Sequence, residues 1–267
     1  MTLNLTPLLG IPLIHPGDDL AQIILKSLNH TNLNLQDGDV LVMAQKIVSK
    51  AEGRIINLTT VTPSPEAIKI ATITEKDPRL LELMLRENKT VMRARPGVVI
   101  VEHRLGFVCA NAGIDHSNVG WGGDRYQGKI EGHREDPPDE WVLLLPENPD
   151  ASAQAIRHRL EQASGAQLGV MIIDSHGRAW RMGAVGVAIG LAGLPGLVDL
   201  RGQVDIFGYK LRVTQVGAAD ELAAAASLVM GQTAESTPVV HVRGFPYKLR
   251  EASLEELLRP KELDLFR

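Results

Sequence analysis

The sequence predicts an α+β fold, with helices packed on a mixed sheet. Three observations lead there. β-type apolar runs and helical segments alternate along most of the chain. In the middle, two β-type runs, "GVVIVEH" and "GFVCA", follow one another with no helix between them, so antiparallel parts belong to the mix. The 267 residues, 44% hydrophobic and 22% charged, suit an ordinary globular chain long enough to bury a core. An α/β sheet with antiparallel parts is the neighbouring alternative.

Residues 3–9 form a short strand that ends at Gly10-Ile11-Pro12. "PGDDLAQIILKSL" is a helix with acids in its first turn, where the macrodipole favours negative charge. "LQDGDVLVMAQKIV" is a turn and then a buried strand, followed by the polar loop "SKAEGR". "SPEAIKIA" and "DPRLLELMLREN" each place Ser or Asp before Pro, the cap and first position of a helix. The two β-type runs come next. Residues 120–140, polar and rich in Gly, Pro and charge, read as a long surface insertion. Trp121, Tyr126 and Trp141 lie in or beside it, as interface anchors or as a lid. A strand "WVLLLP", a helix "DASAQAIRHRLEQAS" and a strand "LGVMIID" follow. "KLRVTQVG" is a strand, "AADELAAAASLVMG" a helix stopped by Gly231, and "PVVHVRG" a last strand.

The formal net charge of −4 and pI near 6.1 exclude a general nucleic-acid binder, which would carry a basic surface. The N-terminus has no basic leader, and the most apolar stretch, residues 183–198, holds Gly and Pro. A buried strand and loop is expected there rather than a membrane span, and cytoplasmic residence follows. Cys109 is the single cysteine, so no disulfide framework exists, and its apolar run gives it a packing role rather than a nucleophile's. "GGDRYQGKI" nearly spells a phosphate loop, but Ile130 stands where the Ser or Thr belongs.

Two apolar runs end in an acid. "GFVCANAGID" delivers Asp115, and "GVMIID" delivers Asp174 followed by Ser175. Carboxylates beside a hydroxyl suit a hard divalent cation. Asp after a strand also bonds its own backbone in a turn, and each acid taken singly favours that role. The context shifts the balance: small residues around each acid let a ligand approach the backbone. Arg178 and Arg181 can pair with phosphate. "MGQTAEST" offers small and hydroxyl side chains, with the Gln232 oxygen available to a metal, and Lys46 and Lys50 can face phosphates or cover the surface.

The segments "VLVMAQKIVSKAEGR", "KDPRLLELMLRE", "GFVCANAGIDHSNV", "LPENPDASAQAIRHRLE", "IDSHGRAWRMGAVGVAIGLAGL" and "DLRGQVDIFG" through "ADELAAAASLVMGQ" resemble, in order, the coenzyme F420-0:L-glutamate ligases. The likeness runs from about residue 10 to residue 244. F420 is a deazaflavin hydride carrier. The resemblance implies a single γ-glutamyl ligase domain over residues 1–250, a C-terminal tail over 251–267 and no fused flavin reductase domain. It implies GTP-dependent addition of L-glutamate to F420-0 through an acyl phosphate, two divalent cations (magnesium or manganese), potassium as a further cation, and a homodimer. By position, Asp115, Asp174, Ser175 and Gln232 match metal ligands. Ile11, Pro12, Leu13, Ile14, Gln45, Lys46, Lys50 and Asn118 match nucleotide contacts, as do Met230, Gly231, Thr233, Ala234, Glu235, Ser236 and Thr237. Arg178 and Arg181 are the candidates for stabilising charge during catalysis. His176 departs from the expected Phe or small polar residue, and Ser175 replaces the usual Thr while keeping the hydroxyl. A metal-dependent phosphohydrolase and a non-catalytic nucleotide- or deazaflavin-binding protein are the rival readings.

Overall fold

The computed structural model describes residues 2–119 and 140–265. All but the last residue of the expected insertion at 120–140, with Trp121, Tyr126 and the near-phosphate loop, lies outside the described residues. In chain order the elements are β1 (Asn4–Pro7), α1 (Leu20–His30), β2 (Val40–Ala44), α2 (Gln45–Ala51), β3 (Ile55–Asn57), α3 (Pro65–Thr74) and α4 (Pro78–Glu87). Then come β4 (Asn88–Arg95), β5 (Val98–His103), β6 (Val108–Ala110), β7 (Trp141–Leu143), α5 (Pro149–Ser164) and β8 (Gly169–Arg178). The last are β9 (Arg181–Ala192), β10 (Val198–Asp199), β11 (Gln215–Val216), α6 (Ala218–Met230) and β12 (Val239–Arg243). Helices with parallel and antiparallel strands make the α+β class that the sequence predicts. Among the described residues no helix is long and apolar enough to cross a membrane.

The chain divides into two compact units, one comprising Met1–Val48 with Asn148–Asp264 and the other Ser49–Glu147 with Leu265–Arg267. In the first, five strands run in the order β1-β12-β2-β8-β9. β2 and β8 pair in parallel, and the other neighbours are antiparallel. The unbroken apolar runs of β2 and early β8 are buried on both faces, as a central parallel pair requires. On one face, Ala219, Leu222, Ala223 and Ala226 of α6 pack with Val42, Met171, Ile173 and Val240. A buried side chain of this kind contributes roughly 1.5–3 kcal/mol. α5 reaches β9 from the other face. Two glycines permit these close approaches: a Cβ at Gly186 would lie 2.5 Å from Ala223 O, and one at Gly190 2.4 Å from Pro149 Cβ. Between them the register shifts, Ile172 pairing with Gly190 but Ile173 with Ala188. Ile189 is the extra residue of this bulge, and it turns Gly190 toward α5 while Gly186 faces α6.

At the other end of the sheet Asp39 is buried. It accepts hydrogen bonds from Arg243 Nε at 2.9 Å and Nη2 at 2.7 Å, and its Oδ2 pairs with His241 Nε2 at 2.8 Å. Burial pushes the carboxyl up, but these partners outweigh it and hold the group at about 2. The described tail is tied to this unit. Glu256 accepts from Gly196 N and Leu197 N, and Asp150 accepts from Leu191 N and Leu254 N.

In the second unit β4, β5 and β6 form one antiparallel sheet and β3 pairs with β7. Leu80, Leu81 and Met84 of α4 share a core with Val99, Val101, Cys109 and Leu144. Cys109 is thus a packing residue, 5% exposed. Glu87, at the end of α4, accepts from Arg54 Nη2 at 2.8 Å and Arg104 Nε at 2.9 Å.

Three expectations change, and one strand is new. The buried strand stops at Ala44, and Gln45 begins a helix that reaches Ala51, because Ile47 and Val48 bury on one helical face while Lys46 and Lys50 stay half-buried on the other. "NKTVMRAR", to which the sequence assigns no element after Asn88, is a strand, β4, held by pairing with β5 although none of its residues is fully buried. In "KLRVTQVG" the strand is Gln215–Val216 alone, paired with β10. Finally, Asp174 does not end its strand: β8 runs on to Arg178.

Candidate active site

In the first unit, successive residues of β8 alternate between the faces of the sheet. Ser175 pairs in register with Gly186, the glycine that faces α6, so Ser175 projects toward the α6 side. Asp174 and His176 project from the opposite face. His176 Nε2 lies 3.1 Å from Asp174 Oδ2, and both side chains are largely buried. Burial alone would raise the Asp174 carboxyl. The hydrogen bond and charge of His176, with a contribution from Lys46, outweigh it and hold the group below the usual carboxylate range.

On the α6 side, Ser175 Oγ donates to Gln232 Oε1 at 2.9 Å, and Gln232 Nε2 donates to Ser227 Oγ at 2.9 Å. Residues 57 apart in sequence are thereby joined. Gln232 follows Gly231, which takes φ 75° as α6 stops. The Glu235 side chain folds back against Gly231, and the backbone there, φ 75° and ψ −178°, is one that requires glycine. Glu235 accepts from Thr233 N at 2.8 Å and Thr233 Oγ1 at 3.1 Å, and Thr237 Oγ1 donates to Met230 O. Ala234 and Ser236 are exposed. Thr233, an expected phosphate contact, spends its amide inside its own loop.

Ile11–Ile14 is irregular chain after β1, with Leu13 58% exposed and Ile14 buried. Gln45 opens α2 and is buried. Arg178 and Arg181 are cross-strand neighbours at the tip of the β8–β9 hairpin, closed through Trp180 at φ 63°. Both are exposed, and Arg178 Nη1 donates to Gly183 O. At about 3.3 Å per residue, Arg178 stands roughly 13 Å along the strand from Asp174. Two like charges facing each other are unfavourable unless an anion joins them.

Asp115, Lys50 and Asn118 belong to the second unit. Asp115 exchanges backbone hydrogen bonds with Leu143, N to O at 3.0 and 2.9 Å. Lys50 Nζ donates to Asn118 O at 2.7 Å, and Asn118 takes φ 56°. The small residues before Asp115 have a packing reason. Asn111, Ala112 and Gly113 turn left-handed at φ 52°, 54° and 65°, Ala112 is fully buried, and a Cβ at Gly113 would strike Leu145 at 2.6 Å.

The F420-0:gamma-glutamyl ligase model matches residues 9–244. The chain belongs to that family. A coenzyme F420:L-glutamate ligase of Methanothermobacter thermautotrophicus is 46% identical, covering 100% of both chains. The protein of the same name from Methanopyrus kandleri is 42% identical over 100% of this chain and 98% of its own. That from Methanocaldococcus jannaschii is 41% identical over 87% of this chain and 86% of its own. In this chain the oxygens of Ser175 and Gln232 could hold a hard divalent cation. Two ligands at right angles, each about 2.1 Å from a metal, lie about 3.0 Å apart, and the Ser175–Gln232 oxygens are 2.9 Å apart. Among the described residues no group of three or more His, Cys, Asp or Glu is set to hold a metal.

The sequence marks His176 only as a departure from the family pattern and Asp220 only as an acid near a helix start, and it gives no sign of Ser227; Asp220 is half-buried. Asp220 accepts from Ala188 N at 2.9 Å, and burial raises its carboxyl. The signal for His176 was its spacing: two residues from Asp174 in a strand means the same face.

Proposed function

We propose that this ligase, in the cytoplasm, joins the amino group of L-glutamate to the terminal carboxylate of coenzyme F420-0, using GTP, and then extends the tail through γ-linked glutamates. The names of the full-length relatives support the substrates. The observation that carries the chemistry is the pair of donor positions on opposite faces of β8, Asp174 on one side and Ser175 with Gln232 on the other. A carboxylate oxygen of the coenzyme attacks the γ-phosphorus of GTP and GDP leaves. The glutamate amine then attacks the acyl phosphate, loses a proton and expels phosphate. Bound magnesium or manganese, with potassium as a further cation, neutralises the charge that would otherwise keep two anions apart. In the first unit Asp174, Ser175 and Gln232 would hold divalent ions, and Asp115 of the second unit is a further candidate ligand. Lys46, Lys50, Arg178 and Arg181 carry the positive charge that receives phosphate. Residues 1–250 make the ligase domain, which works as a homodimer; the exposed Ile206 and Phe207 support a covered surface on the first unit.

The test is mass spectrometry of F420-0 incubated with protein, GTP, magnesium or manganese, and L-glutamate. The expected product gains whole glutamyl units while GTP becomes GDP. Equal use of ATP overturns the nucleotide assignment. GTP hydrolysis indifferent to glutamate makes the protein a phosphohydrolase, and tight GTP binding without any turnover makes it a binding protein.

A further inference from the structure

Building on the reading of Asp174 as a cation ligand, we propose that His176 is a second protein ligand at the same cation position. Its imidazole would bias that position toward manganese or cobalt over magnesium.

Asp174 and His176 stand two residues apart in β8, so both project from one face. His176 Nε2 is 3.1 Å from Asp174 Oδ2. Neighbouring ligands on a cation with bonds of about 2.1 Å lie about 3.0 Å apart. The two atoms already have that spacing, so a cation would displace the hydrogen bond between them without moving the strand. The side chains are 11% and 13% exposed, which limits competition from water. The ring would bind through the Nε2 lone pair, with its proton on Nδ1.

The donor set differs between the two faces. Ser175 and Gln232 offer oxygen only, which suits magnesium. Asp174 and His176 offer oxygen and nitrogen. Magnesium gains little from imidazole, whereas affinity for nitrogen donors rises from manganese through iron to cobalt. One strand would thus present a hard cation position on one face and a softer one on the other.

The rival role for His176 is positioning: a hydrogen bond that merely aims the carboxylate. Wild type, His176→Phe, His176→Gln and Asp174→Asn separate the two. Gln keeps an N–H that can donate to Asp174 but lacks the ring nitrogen. Manganese affinity is read by electron paramagnetic resonance, with magnesium as competitor, on full chains whose metal-free melting is checked. The expected result is a manganese-over-magnesium preference at least about tenfold lower in both His176 variants, with magnesium affinity nearly unchanged. In cobalt-loaded wild type, imidazole NMR resonances should show a hyperfine-shifted ring, a readout that needs no folded variant.

An unchanged preference in both variants, or no shifted ring, overturns the proposal. So does a joint fall in both affinities in the Phe variant that the Gln variant restores, because that is positioning. Manganese binding unaltered by Asp174→Asn is a different failure: it removes the cation reading of Asp174 itself.

Discussion

At Asp174 two opposing effects meet, burial raising the carboxyl and the His176 and Lys46 interactions lowering it, and the second wins. The residue is an anion in a largely buried place. Asp174→Asn keeps the size and removes the charge, so turnover should fall roughly a hundredfold or more with melting unchanged. Asp115→Asn should behave alike. Near-normal turnover at saturating metal would return Asp115 to the turn-forming role and leave Asp174 as the partner of His176 alone. Ser175→Thr should remain active while Ser175→Ala loses most turnover, because the hydroxyl is the donor that meets Gln232; equal activity of the two would dismiss the hydroxyl. Cys109→Ala should keep full turnover and lose about 1 kcal/mol of stability in denaturant melts, since Cys109 fills core. At this scale the sequence was readable where chemistry resides in the side chain itself. Oxygen donors announce themselves as Asp, Ser and Gln, and a lone Cys in an apolar run announces packing. Geometry was not readable. Adjacent letters such as Asp174 and Ser175 part to opposite faces only once a strand is known, and the smallness of Ala112 and Gly113 answers to a left-handed turn and to Leu145.

Helix starts were readable because a cap is a local device. Ser64 and Asp77 accept from Ala67 N and Arg79 N, each ahead of a Pro. Asn148 does the same for α5, two residues upstream of the "DASAQAIRHRLEQAS" segment. Strand ends were less readable because pairing decides them. β4 owes its existence to β5, and β8 extends past Asp174 because β9 pairs with it as far as the hairpin tip. Glu87 closes α4 with an acid-sensitive contact. Burial would raise its carboxyl from the ordinary 4.5, but His103, Arg54 and Arg104 hold it at about 2. With the folded value depressed, its stabilisation is complete above pH 4.5 and disappears as pH falls through about 2. The full shift corresponds to at most about 3 kcal/mol. Glu87→Gln should therefore lower stability at neutral pH and flatten the loss between those two pH values, measured by urea melts at several pH values. A parallel curve in both proteins would assign the acid sensitivity elsewhere, Asp39 being the next candidate.

For the whole molecule, light scattering should give twice the 29.0 kDa chain mass. Replacing Ile206 and Phe207, 91% and 88% exposed, by Asp should shift that mass to the monomer; an unchanged dimer places the contact elsewhere. The α+β class followed from the order of elements, which composition and periodicity carry. The division into two units did not, because the first unit takes its residues from both ends of the chain and the second interrupts it. Nothing between neighbouring letters records a chain that leaves a sheet after β2 and returns to it at β8.

The bulge in β9 acts as a change of phase. Ahead of Ile189, even-numbered residues such as Gly186 and Ala188 meet α6; beyond it the parity flips, and Leu191 joins the α6 core while Gly190 meets α5. The hairpin end of the strand, which flanks the donor residues, and the core end therefore keep independent alternation. Substitutions can drift on one side of residue 189 without being read by the other. Loss of that single residue would put the two halves back in step, and exchange the sets that one half presents to α6 and to α5.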